Sequence, residues 1–168
     1  MYDRLARRPR FLRHAVNQPD LPAFRQTLFI ATPAARVWNA LITPAEVARY
    51  HLCPLQRLDL RPGGEIIYGV GDQRFIFGTV TNVVPERQLT HTFRFDAATH
   101  DGTHADAESR VSYTIVPMGA MCQLTLTHDQ FGSDDQTYAN ITGGWPSILS
   151  GLKTWVETGK TLPWPTVT

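Results

Sequence analysis

The chain has 168 residues, 42% of them hydrophobic and 18% charged, with Lys and Arg at 16 against Asp and Glu at 15. This length and balance describe a single globular domain that hides roughly 70% of its unfolded surface, and they argue against a two-domain chain. Cys53 and Cys122 have neither CxxC nor CxxH spacing, which excludes a disulfide scaffold and a zinc module and fits a reduced, cytoplasmic protein. No apolar run approaches the ~18 residues of a bilayer span, so no membrane association is expected.

The charge is unevenly spread. Within residues 1–13, Arg4, Arg7, Arg8, Arg10 and Arg13 face only Asp3, and residues 1–22 read as a basic N-terminal arm, partly ordered at most, ahead of one domain over 23–168. The arm lacks the interleaved aromatics of nucleic-acid readers and is expected to be solvated. Arg7-Arg8 ahead of Phe11-Leu12 hints at export, but Arg13, His14, Asn17, Gln18 and Asp20 stand where an apolar segment belongs.

Phe24 to Ile30 reads as the first strand. Thr32-Pro33 predicts a helix start, with the Thr hydroxyl as cap and Pro in the first turn, and Val37, Trp38 and Leu41 form the apolar face. Thr43-Pro44 repeats the signal for a second short helix carrying Glu46 to Tyr50. From Leu58 to His128 the hydrophobic period is two, cut by Pro62-Gly63-Gly64, Gly69 to Asp72, Pro85-Glu86, His100 to Gly102 and Met118-Gly119. This is the pattern of an antiparallel meander with strands at 57–60, 65–70, 74–84, 88–95, 109–116 and 122–128. Beyond Asp134-Asp135, Trp145, Leu149, Leu152 and Val156 form a helical stripe that stops at Gly159, and Gly143-Gly144 and Pro146 predict a weak or kinked middle. One helix cannot cover a whole face of seven strands, so a cavity is expected between them.

Several segments carry a family likeness: Thr32-Pro33-Ala34-Ala35-Arg36-Val37-Trp38-Asn39-Ala40-Leu41 with Pro44, Asp59-Leu60-Arg61-Pro62-Gly63-Gly64, Phe77-Gly78-Thr79-Val80, Val84 to Leu89, Leu124 to His128, and Gly144-Trp145 with Leu152 to Gly159. Together, over about residues 24 to 160, they resemble the SRPBCC (START-like, helix-grip) superfamily, within it the group named after the activator of the heat-shock-protein-90 ATPase. The resemblance implies an α+β helix-grip fold, a seven-stranded curved antiparallel sheet around a long C-terminal helix, with two short helices after strand one. It also implies a choice of activities, since superfamily members bind lipids, hormones and polyketides, a minority are cyclases or aromatases, and the chaperone activators use the domain for protein contact. Where the group often shows paired Trp after the second short helix, this chain has Tyr50-His51-Leu52, which predicts a more polar cavity mouth.

Alternation in the fifth strand places Leu89, His91, Phe93 and Phe95 inward, so His91 interrupts an aromatic row and is a candidate to orient a ligand or move a proton. In the last strand Cys122, Leu124, Leu126 and His128 share a face. Asp129 points the other way, so a structural hydrogen bond is expected for His128 rather than a His-Asp dyad, and Cys122 reads as a core residue. His100-Asp101-Gly102-Thr103-His104-Ala105-Asp106-Ala107-Glu108 resembles a metal-ligand run, but Gly102 and the flanking strands predict a solvated hairpin loop. No catalytic set, metal or cofactor is assigned. The function expected is binding of a small hydrophobic or aromatic ligand, with Trp38, Tyr50, Tyr68, Phe75, Phe77, His91, Phe93, Tyr113, Trp145, Leu149 and Leu152 as lining candidates. The alternatives are a protein-interaction module with a chaperone or other protein partner, and a cyclase-like or hydrolase-like enzyme needing His91 or His128. A homodimer is compatible with all three.

Overall fold

A computed structural model describes residues 21–103, 106–132 and 135–164; the arm as far as residue 20, and with it every arginine of the basic cluster, lies outside these residues, as does His104. Within them the elements run β1 (Phe24–Ile30), α1 (Ala34–Ile42), α2 (Pro44–Val47), β2 (Leu55–Leu58), β3 (Glu65–Val70), β4 (Gln73–Val84), β5 (Gln88–Phe95), β6 (Ser109–Met118), β7 (Met121–Asp129) and α3 (Gln136–Thr158). The strands form one antiparallel sheet in the order β1-β7-β6-β5-β4-β3-β2. It is the helix-grip architecture expected, with β1 returning to pair beside the last strand.

Period-two patterning becomes burial directly. In β7, Cys122, Leu124, Leu126 and His128 are all fully buried while Gln123, Thr125 and Thr127 between them are not. β5 buries Leu89, His91 and Phe93 on the same inner face. The 23 residues of α3 close over that face, burying Ile141, Trp145, Ile148, Leu149, Leu152 and Val156. The helix is continuous through Gly143, Gly144 and Pro146, and it ends where Gly159 adopts the left-handed φ of 69° that a side chain would resist. Among the described residues no helix is long and apolar enough to cross a membrane.

Three local expectations are corrected. The Thr32 cap is not made: Pro33 itself is the N-cap of α1, extended at φ −62° and ψ 152°, and no side chain caps the helix. Thr43 sits at the N-cap of α2, but its hydroxyl donates to Asn39 Oδ1 at 3.0 Å instead of accepting from α2, which ends at Val47 rather than Tyr50. The segment after β5 is not simply a solvated loop. His100 stacks on Phe95 with ring centroids 4.2 Å apart, and Asp106 accepts from the Gln136 and Thr137 amides (3.2 and 2.8 Å) and from the Thr137 hydroxyl (2.7 Å). A carboxylate far away in sequence thus satisfies orphan amides of α3, beside the local cap in which Asp135 accepts from Tyr138 N at 3.2 Å.

Two further anchors hold α3. Trp155 Nε1 and Arg36 both donate to Glu46 Oε2, at 2.7 and 2.6 Å, joining α3, α1 and α2. Burial pushes the Glu46 carboxyl up, but the Trp155 and Arg36 hydrogen bonds outweigh it and hold the group below its usual range. At the edge of the sheet, Lys153 Nζ donates to Phe29 O at 2.8 Å and Glu157 accepts from Ala31 N at 2.7 Å.

Asp106→Ala is expected to lower stability by about 1–2 kcal/mol, the size of a lost helix cap, measured as a shifted denaturant midpoint. An unchanged midpoint would show that the cross-loop cap contributes nothing.

Candidate functional site

Between α3 and the open end of the sheet lies a partly open cavity of about 500 Å³. The helix contributes Asn140, Ile141, Gly144, Trp145 and Ile148, and β4 and β5 contribute Phe75, Ile76, Phe93 and Phe95. The rest comes from two loops, His51, Leu52 and Cys53 after α2, and Thr99 and His100 after β5. The volume falls within the roughly 300–1,000 Å³ of small-molecule sites. None of these residues is Asp, Glu, Lys or Arg.

Of the eleven residues expected to line it, the structure brings Phe75, Phe93 and Trp145 into the wall. Trp38, Leu149 and Leu152 are packed in the core, where the helices and sheet meet without a gap. Tyr50 is buried with its hydroxyl donating to Ala40 O at 2.9 Å. Tyr68 lies behind His51, stacked on it at 4.7 Å, and Tyr113 lies behind Trp145, edge-on at 6.2 Å. Phe77 is on the other side of the sheet: its cross-strand partners are Ile67 and Arg94, and the Arg74 guanidinium sits 3.9 Å over its ring. His91 is 2% exposed and outside the wall. The wall also holds Phe95, which alternation places inward but which is not among the eleven, Ile76 on the strand face opposite Phe77, Asn140, Ile141, Gly144 and Ile148 of α3, and the loop residues His51 to Cys53, Thr99 and His100. For His51 and Leu52 a signal existed in their departure from the family's paired Trp.

Three imidazoles give the site its electrostatics, His91 and His128 buried and His51 half-buried in the wall. Trp145 Nε1 can only donate, and it does so to His128 Nδ1 at 3.0 Å, which leaves the ring proton on Nε2. That nitrogen donates to Ser109 Oγ at 2.8 Å, and the Ser109 hydroxyl donates to Phe93 O at 3.2 Å. Both His128 nitrogens are therefore committed, as the sequence reading expected of a structural histidine. Asp129 pairs instead with Arg110 through two hydrogen bonds of 2.9 and 2.8 Å.

His51 accepts at Nδ1 from the Cys53 amide (3.1 Å), so its proton is on Nε2. His91 has the opposite tautomer: Nδ1 donates to Thr92 O at 2.7 Å, and the buried Nε2 has no hydrogen-bond partner among the described residues. Burial drives the pKa of His51 and of His91 down to about 4, and that of His128 to about 3. Burial also lowers the His100 pKa, against the opposing pull of Asp96, and pushes the Cys53 thiol up to about 11. At neutral pH the cavity and its backing are uncharged. Among the described residues no three His, Cys, Asp or Glu side chains form a group able to hold a metal ion.

These shifts fix the sign of the pH dependence. Below about pH 6.5 the unfolded chain protonates these histidines, while the folded chain does not until about pH 4 or 3, so the unfolded state binds more protons and stability falls as pH falls through this window. Thermal midpoints should decline steadily from pH 7 to pH 4.5. His128→Phe is expected to cost about 1–3 kcal/mol, because Trp145 Nε1–H is left buried without an acceptor, and to make that decline shallower. A midpoint independent of pH would contradict the neutral assignment.

The architecture and the site can be set beside known proteins. The family model for Activator of Hsp90 ATPase homolog 1-like protein matches residues 31–157. Comparison with curated proteins returns no match. Among solved structures, DynU16, from the dynemicin biosynthetic locus, is similar with a TM-score of 0.67 and 23% identity, over 83% of this chain and 48% of that one. CalU16 from Micromonospora echinospora is similar at 0.63 and 20% identity, over 82% and 77% of the two chains. PFC0360w, an HSP90 activator from Plasmodium falciparum, is similar at 0.64 and 19% identity, over 82% and 96%. The chain spans about half the length of DynU16, and at such identities these neighbours show the fold alone. With the family model matching most of its length, the chain belongs to the Activator of Hsp90 ATPase homolog 1-like proteins, a group of the SRPBCC superfamily.

Proposed function

We propose that the chain binds a small, uncharged, largely aromatic or apolar molecule in the cavity between α3 and the sheet. The observation that carries this reading is the wall itself, with Phe75, Phe93, Phe95 and Trp145 around about 500 Å³ and no charged residue among those that line it. Aromatic walls supply contact area and ring-ring geometry at little entropic cost. An uncharged lining rewards a neutral guest, because nothing in it offsets the desolvation of an ion. The comparison with a chain from a biosynthetic locus is in keeping with a small-molecule role, and supplies no ligand.

A second reading, a docking module for another protein, is favoured by one feature of the outer sheet face. Phe29 and Val116, 55% and 47% exposed, flank Gln123 in a single cross-strand row. Phe29→Ser with Val116→Ser would abolish capture of a chaperone ATPase under this reading and leave cavity binding untouched. For the enzymatic alternative, His128 offers little support, since it is fully buried with its proton directed at the equally buried Ser109.

Gly144 gives the direct test. A Cβ built there meets only Leu52 Cδ1, at 3.9 Å, so Gly144→Leu would fill the cavity without a backbone clash. Replacing a helical Gly also contributes about 0.5–1 kcal/mol of helix propensity. Native mass spectrometry against neutral aromatic compounds should therefore show saturable binding to the wild type and none to Gly144→Leu, whose thermal midpoint is equal or higher. No saturable binding to the wild type, or unchanged binding to the variant, would overturn the proposal.

A further inference from the structure

His51 is a wall imidazole whose tautomer is set by the backbone. The Cys53 amide occupies Nδ1, so the neutral ring carries its proton on Nε2, a donor to which no hydrogen bond is assigned among the described residues. The ring cannot easily turn to hide this donor. Tyr68 lies parallel to it at 4.7 Å and 19°, and Trp145 stands edge-on at 6.3 Å and 79°. The other polar side chains of the wall are Thr99, Asn140 and His100, of which only His100 keeps an imidazole nitrogen, Nε2, without a hydrogen bond among the described residues. Thr99 Oγ1 is hydrogen-bonded to Asp96 O (3.0 Å) and to His100 Nδ1 (3.1 Å), and Asn140, exposed on the outer turn of α3, accepts from Gln136 at 3.3 Å.

A fixed, uncharged donor in an aromatic wall selects for its complement. An anion would have to shed its hydration in a lining without a cation, and a ligand whose polar group only donates would oppose donor to donor. A strong neutral acceptor that sits on a flat aromatic body, in the plane of its rings, is a conjugated carbonyl. We infer that His51 is the polar anchor of the cavity and that its ligand class is uncharged aromatic ketones and aldehydes, the carbonyl oxygen accepting from His51 Nε2–H. This rests on the cavity-binding reading and narrows it. The donor is positioned before the ligand arrives, so little of the bond's value is lost to ordering.

The test uses three probes of one shape: 2-acetylnaphthalene, 2-isopropenylnaphthalene, in which C=CH2 replaces C=O, and 2-naphthoate. The wild type should bind the ketone about tenfold more tightly than the alkene, the value of one neutral hydrogen bond, and the naphthoate more weakly than the ketone. The infrared carbonyl stretch of the bound ketone should move to lower wavenumber than in an alkane solvent. His51→Phe should abolish the difference between ketone and alkene and return the stretch to its alkane position. Equal affinities for ketone and alkene, tighter binding of the naphthoate, or an unshifted stretch would overturn the inference while leaving the cavity reading intact. If neither neutral probe binds, both fall. The wild-type comparison and the stretch stand even if the variant does not fold.

Discussion

A single hydrogen-bond chain ties the closing helix to the sheet. It runs from Trp145 on α3 to His128 on β7, to Ser109 on β6 and to the carbonyl of Phe93 on β5, crossing three neighbouring strands. Every link is buried, so each polar group in it has exchanged water for one specified partner, and a missing partner would cost more than the bond contributes. The arrangement works only with His128 uncharged and its proton on Nε2. The residue thus joins helix to sheet, and the ring it orients, Trp145, forms part of the cavity wall.

Shape and electrostatics share this origin. The sheet is wider than the helix, so it packs tightly at one end, around Leu149, Leu152 and Val156, and stays open at the other, where Gly144 presents no side chain. The same burial that makes the wall apolar suppresses protonation of His51, His91 and His128. Their tautomers are then set by local partners, a side-chain indole for His128 and backbone groups for the other two. The outcome is a hollow without a charged side chain in its wall, backed by His91, whose Nε2 is a buried acceptor without a partner among the described residues. Under the proposed binding role, selectivity would come from ring geometry and hydrogen bonding, not from ion pairing.

Much of this fold was legible because strand alternation and turn residues are local signals. β1, β3 and β5 fall on the residues read from the pattern, and Gly159 ends α3 as its position suggested. The errors at helix starts are also local: Thr32 and Thr43 have the right chemistry for caps, but Pro33 took one position and Asn39 the other hydroxyl. The cavity wall was less legible for a different reason. Periodicity assigns a face, not a depth along the element. Tyr113 and Leu152 face inward as expected but at the filled end, while Phe95, Ile141 and Ile148 face the gap. His51 sits in a loop that has no period at all, and only its contrast with the family pattern marked it. The reach of Asp106 to α3 depends on how a long loop folds back, which spacing does not encode.

The central claim is that His51, His91 and His128 are neutral and each locked in one tautomer. Nitrogen-15 NMR of the histidine rings at pH 6, below the ordinary imidazole pKa, tests it most directly. The account predicts one protonated and one bare nitrogen in each ring, with the proton on Nε2 of His51 and His128 and on Nδ1 of His91. Imidazolium signals from any of the three at that pH, or averaged signals from rapidly exchanging tautomers, would contradict it.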